Sequence, residues 1–199
     1  MAGCTSQSAE TKLVIAKFGE EEIYLEEIQF YLIINQVDYE KEYVKQYPGE
    51  NIWNMDILGT GNTLEDDVKQ SILQETKKMH ILLKKAEEFG ITLDEDDEEE
   101  LIILEEILKD RYSEEVLQEI HVEDGVLQER LRQSMLAAKV KKVICEKNGW
   151  TADDREEKFQ ALYEEWAGET SFTIREVEWT EVHFEQGKYK LKEEETENK

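Results

Sequence analysis

A single proline, Pro48, in 199 residues is the feature that most limits what this chain can fold into. Proline removes a backbone donor and clashes with the preceding turn, while each glycine inside a helix costs about 1 kcal/mol relative to alanine. With so few of either, long helices run without interruption, and a mainly α fold is expected. Carboxylates outnumber basic side chains 49 to 24, for a net charge of −25. Such a surface repels phosphate backbones and excludes nucleic acid as a partner. It either attracts basic, unfolded polypeptide or serves solubility alone. No apolar run reaches the ~18 residues that would mark a membrane-spanning helix.

Residues 13–18 are β-branched and aromatic and read as a short strand, closed by a turn at Gly19. A helix follows directly, with Leu25, Ile28 and Leu32 on one face and Tyr39, Tyr43 and Tyr47 recurring at spacing four, until Pro48-Gly49 ends it. Residues 50–61 form a loop carrying Ile52, Trp53, Met55, Ile57 and Leu58. Asn62 and Glu65 suit a capping box for a long helix that reaches Gly90. A further start at Thr92 leads into the acidic run 94–100, favoured in a first turn by the helix dipole, with Leu101, Leu104, Ile107 and Leu108 as the buried side. A short helix from Ser113 and a long one over 123–147 come next, the latter with Leu127, Leu131, Leu136, Val140, Val143 and Ile144 inward and Cys145 as a small buried hydrophobe.

Thr151 and Asp154 mark another cap, and Phe159, Leu162, Tyr163 and Trp166 make one face of a compact helix ending at Gly168. Residues 172–179 read as a strand with a bulge between Ile174 and Val177. Two short strands at opposite ends of a helical domain satisfy their backbone groups most simply by antiparallel pairing with each other. Past Gln186 the chain is charged and is expected to fray.

The start, Ala2-Gly3-Cys4 followed by Thr5, Ser6 and Gln7, looks like the end of a bacterial lipobox, in which the cysteine thiol carries diacylglycerol. The alternative is an ordinary terminus that happens to hold a cysteine. On the first reading the chain divides into a lipoprotein tether at 1–12, one domain at 13–184 and a charged tail at 185–199. It would then sit at the outer face of the cytoplasmic membrane, or otherwise be periplasmic or secreted.

Several stretches resemble the N-terminal chaperone domain of SurA, PrsA and related lipoproteins, a fold also likened to the C-terminal region of trigger factor. They are the opening Leu13-Val14-Ile15-Ala16-Lys17-Phe18-Gly19-Glu20-Glu21-Glu22-Ile23, the helix end Leu82-Leu83-Lys84-Lys85-Ala86-Glu87-Glu88-Phe89-Gly90, the run Leu127-Gln128-Glu129-Arg130-Leu131-Arg132, and the closing stretch from Trp166 to Trp179. In isomerase members a parvulin domain separates the long helix from the final one. Here Lys147-Asn148-Gly149-Trp150 joins them directly and leaves no room for it. The resemblance therefore implies a peptide-binding module without prolyl isomerase catalysis, acting on unfolded or extended polypeptide. A dedicated-partner adaptor on the same fold is the alternative, and a residual peptidyl-prolyl isomerase a more distant one.

No cofactor or metal is expected. His80, His121 and His183 are isolated, without a second histidine or cysteine at zinc spacing. Gly59-Thr60-Gly61-Asn62 lacks the lysine of a phosphate loop, and the acidic run lacks the glycine and distant glutamate of a calcium loop. The candidate peptide-binding residues are Tyr39, Tyr43, Tyr47, Trp53, Met55 and Leu58, since aromatic and methionine side chains give adaptable apolar contact. The competing reading is that they pack the loop onto the helices.

Overall fold

The computed structural model describes residues 13–122 and 125–189. Cys4 and the rest of the expected tether lie outside the described residues, as does the chain beyond Tyr189. Among the described residues the protein is mainly helical with a small antiparallel sheet, as expected.

Strand β1 (Val14–Phe18) turns at Gly19, where φ is +62°, into strand β2 (Glu21–Tyr24). A glycine suits that left-handed backbone because it has no Cβ to clash. The second strand is a departure from the sequence reading, which ran the turn straight into a helix. Only Ile23 of β2 is fully buried, so its acidic neighbours hid the strand pattern. Strand β3 (Phe172–Ile174) pairs antiparallel on the other edge of β1, with Phe18 opposite Phe172 and Ala16 opposite Ile174. The sheet order is β2-β1-β3, so the expected pairing of the two distant strands is present.

The helices are α1 (Leu25–Tyr43), α2 (Leu64–Phe89), α3 (Glu95–Arg111), α4 (Glu114–Glu119), α5 (Val126–Lys147), α6 (Arg155–Glu169) and α7 (Glu176–Thr180). Their caps correct several expected boundaries. Helix α2 is capped by Thr63, whose Oγ1 accepts from the Asp66 amide at 3.2 Å, one residue later than expected. Asn62 instead donates from its side chain to Asp67 Oδ1 at 3.0 Å. Helix α3 starts with a reciprocal Asp94 and Asp97 box rather than at Thr92. Gly168 lies inside α6. The expected bulged strand over 172–179 ends at Ile174, and the chain turns into α7, which buries Trp179 and leaves Val177 exposed.

Helix α1 separates two apolar clusters. Ile28 and Leu32 face the larger one, with Ile15, Ile23, Trp53, Val68, Val140 and Trp166. Phe30, Ile33 and Val37 face the smaller one, against Tyr112, Val116, Ile120, Leu127 and Tyr189. Each large side chain removed from water stabilises by about 1.5 to 3 kcal/mol before ordering costs. Cys145 is buried, as expected, whereas Ile107 is exposed and not part of the buried side of α3.

Residues 187–189, the described start of the stretch expected to fray, are held in place. The Ile52 amide donates to Gln186 Oε1 at 2.8 Å, the Gly187 amide donates to Glu40 Oε2 at 2.8 Å, and Tyr189 is buried. Backbone groups of the 50–52 loop need partners once water is excluded, and the segment 185–189 supplies them. Lys69 holds the preceding stretch: its Nζ donates to the carbonyl oxygens of Trp179 at 2.8 Å and Val182 at 2.6 Å.

Helix α3 is tied to α5 through Lys139, bound to Asp94 and Asp97, and through Arg132, bound to Glu98. The hydrogen bond from Lys139, and then the Asp97 amide, hold the Asp94 carboxyl below its ordinary value of 3.8. A carboxyl depressed in the folded state contributes stability above its unfolded pKa and loses it as pH falls through the folded value. Acid titration followed by hydrogen exchange is expected to loosen the start of α3 as pH drops below the ordinary aspartate range. Lys139→Met is expected to flatten that response, and an unchanged acid profile in the variant would rule out the link as its source.

Candidate functional site

Of the residues singled out in the sequence, the structure brings Tyr39, Tyr43 and Trp53 together. The Tyr39 and Tyr43 rings stack at 6.1 Å, and Tyr39 meets Trp53 edge-on at 6.2 Å. Trp53 itself is only 1% exposed. It stacks on Phe184 at 4.2 Å and donates from Nε1 to Glu40 Oε1 at 3.0 Å. Trp53 is therefore a core anchor and corrects the expectation of a binding side chain there. A short 3-10 turn, Ile52–Asn54, aims it inward, with Asn51 Oδ1 accepting from the Trp53 amide at 3.1 Å. Tyr39, Tyr43 and Tyr47 are half-buried against the same cluster, and Met55 is also half-buried. Leu58 alone of the six is exposed, at 43%.

An apolar-floored cleft of about 450 Å³ lies elsewhere, between the β1–β2 hairpin and helices α1, α2 and α5; a larger hollow of about 700 Å³, between α3, α4 and α5, has Glu105, Lys109, Glu114 and Gln118 in its lining. Phe18, Ile28, Met79 and Leu83 give the cleft its apolar floor. Their placement follows from local structure: Phe18 ends β1 just before the glycine turn, Ile28 sits one turn into α1, and Met79 and Leu83 are one helical turn apart on α2. Two lining residues, Tyr31 and Arg130, each carry a side-chain polar atom, Oη and Nε, that is shut off from water and has no hydrogen-bond partner. The Arg130 guanidinium is oriented through Nη1, which donates to Gln133 Oε1 at 2.8 Å.

The rim is charged. His80 lies between two carboxylates, 3.6 Å from Glu21 and 3.8 Å from Glu27, with its ring 5.6 Å from that of Phe18. Glu27 also accepts from the Tyr24 amide at 3.0 Å, which fixes it at the start of α1. Lys84, also in the lining, donates from Nζ to Thr170 Oγ1 at 2.9 Å. Among the described residues no group of three or more His, Cys, Asp or Glu side chains is arranged to hold a metal ion. A further hollow, about 330 Å³, lies between α2, α5 and α6 and includes Leu82, Ala137, Phe159 and Tyr163. Met79 belongs to both this hollow and the cleft, so the two flank a single side chain of α2.

The sequence sets His80 aside as a metal ligand and does not single out Tyr31 or Arg130 as site residues. Neither residue belongs to a spacing pattern. Their meaning comes from the lack of a partner, which is visible only once three helices and a hairpin are packed.

No family model matches this chain, and no curated protein and no solved structure matches it either. Among the described residues no helix is long and apolar enough to cross a membrane.

Proposed function

We propose that this chain is a polypeptide-holding module, resembling the SurA and PrsA class without the isomerase domain, and anchored at the bacterial cell envelope by lipid on Cys4. It binds unfolded or extended segments without catalysis, and no nucleotide is needed for weak, reversible capture. The observation that carries this reading is the pair of unpartnered groups, Tyr31 Oη and Arg130 Nε, on residues that line an apolar-floored cleft. A buried polar group left without a partner costs about 1 to 3 kcal/mol. An extended polypeptide that enters the cleft and displaces the side chains covering these two atoms brings a carbonyl acceptor at every residue, beside a side chain for the Phe18, Ile28, Met79 and Leu83 floor. The hollow across Met79 extends the same surface for a neighbouring residue of the client.

The test is aggregation of two unrelated unfolded proteins, followed by light scattering at stoichiometric concentration of the module. Suppression of both is expected. The double variant Tyr31→Phe with Arg130→Met keeps the cleft's shape and removes both hydrogen-bonding groups, so client affinity should fall about 10- to 100-fold. The thermal midpoint should hold or rise, because two unsatisfied groups are gone. Undiminished capture by this variant would remove the cleft from the mechanism. Suppression of neither client by the parent chain would leave an adaptor for one dedicated partner.

A further inference from the structure

The outward face of α3 sets exposed isoleucines among carboxylates. Ile102, Ile103 and Ile107 are 56%, 57% and 54% exposed, and only Leu101 of this helix is buried. Helical spacing places Glu99, Ile103, Glu106 and Asp110 on one outward line, flanked by Ile102 and Ile107. Nine of the helix's 17 residues are acidic and two are basic. The basic groups near its inner side are already committed: Lys109 to Glu105, Arg111 to Asp38, and Arg132 of α5 to Glu98. Exposed apolar side chains interleaved with the carboxylates of Glu99 and Glu106 make a surface that wants burial but repels anything acidic.

We infer that this face is a docking surface for a basic amphipathic helix of a partner protein, separate from the cleft. Ile103 and Ile107 form an i, i+4 ridge that fits the groove of a second helix, and lysine or arginine beside that groove meets Glu99 and Glu106. Charge decides against a second copy of this chain as the occupant. Two α3 faces brought together would set one acidic helix against another, and like charges across a contact oppose association.

The experiment uses the full chain and a fluorescent helical peptide with leucine along one face and lysine on the other, read by anisotropy. Binding is expected, weakening as salt is raised, and absent for the same peptide with glutamate in place of lysine. The exposed double variant Ile103→Ser with Ile107→Ser should bind about tenfold more weakly, and Glu99→Gln with Glu106→Gln should lose most of the salt dependence. The cleft variant Tyr31→Phe with Arg130→Met should bind this peptide as the parent does, which separates the two surfaces. Equal affinity for the serine variant, or equal affinity for the acidic peptide, would overturn the assignment. So would sedimentation showing a dimer that the serine substitutions dissolve while the basic peptide fails to bind.

Discussion

Trp53→Ala is expected to destabilise the domain by about 3 to 5 kcal/mol, the range for truncating a large aromatic in a packed interior. The loss has two sources. The indole leaves a void beside Phe184, which stacks on it at 4.2 Å, and beside Tyr39. It also strips one donor from the buried Glu40 carboxylate, which accepts from Trp53 Nε1 at 3.0 Å, Gln36 Nε2 at 3.0 Å and the Gly187 amide at 2.8 Å. A buried carboxylate needs its donors because desolvation without them is costly. Denaturant midpoints read the effect, with Leu58→Ser as the contrast, since that side chain is already 43% exposed and its replacement should change little. If Trp53→Ala kept the parent's stability and lost client capture instead, the indole would be a binding group after all.

Lys69→Met should be the second large effect, about 2 to 4 kcal/mol. The ammonium is buried beneath the Trp179 ring, 5.1 Å from its centre, and holds the Trp179 and Val182 carbonyls. Methionine fills similar space but leaves both oxygens without that donor, and the relief of desolvating a cation offsets only part of the loss. Burial pushes the Lys69 pKa below its ordinary 10.5. The unfolded state therefore binds more protons between the folded pKa and 10.5, and this group's contribution to stability rises with pH across that window. The methionine variant should lack that rise. Hydrogen exchange gives the local reading: the Gly187 amide, protected by Glu40 in the parent, should exchange faster in Lys69→Met. Unchanged protection would show that residues 184–189 are held without the Lys69 clamp.

The helical class and the pairing of the distant strands were legible in the sequence because both follow from strong signals: scarce proline, helical apolar spacing, and edges that need partners. Strand β2 was not, since a strand with one fully buried residue among Glu21, Glu22 and Tyr24 shows no alternation. Helix α7 was read as strand because Val177 and Trp179 favour strands locally, while the tertiary core claims Trp179 from a single helical turn. Periodicity places Ile107 inward, yet α3 packs chiefly on α5 along one side and leaves the isoleucines to solvent. The tyrosine series and Trp53 were flagged as a group for the right residue types, and their use in packing was the competing reading. The cleft escaped notice because an orphaned hydroxyl has no sequence signature.

The sheet order sets a timetable for folding. Strand β1 is central, yet its partner β3 stands at residues 172–174, so the two meet only after nearly the whole domain has been made. Closing so distant a contact is entropically slow compared with helix formation and the local β1–β2 hairpin. A chain emerging from a ribosome or a translocation channel will therefore carry a hairpin whose β1 edge is unpaired for as long as the helices take to appear. That edge is a template for unwanted strand pairing. The lysine and carboxylate of Lys17 and Glu22 on the hairpin, 3.2 Å apart, place charge beside it during that interval. The interval closes only when β3, the last strand to arrive, covers that edge.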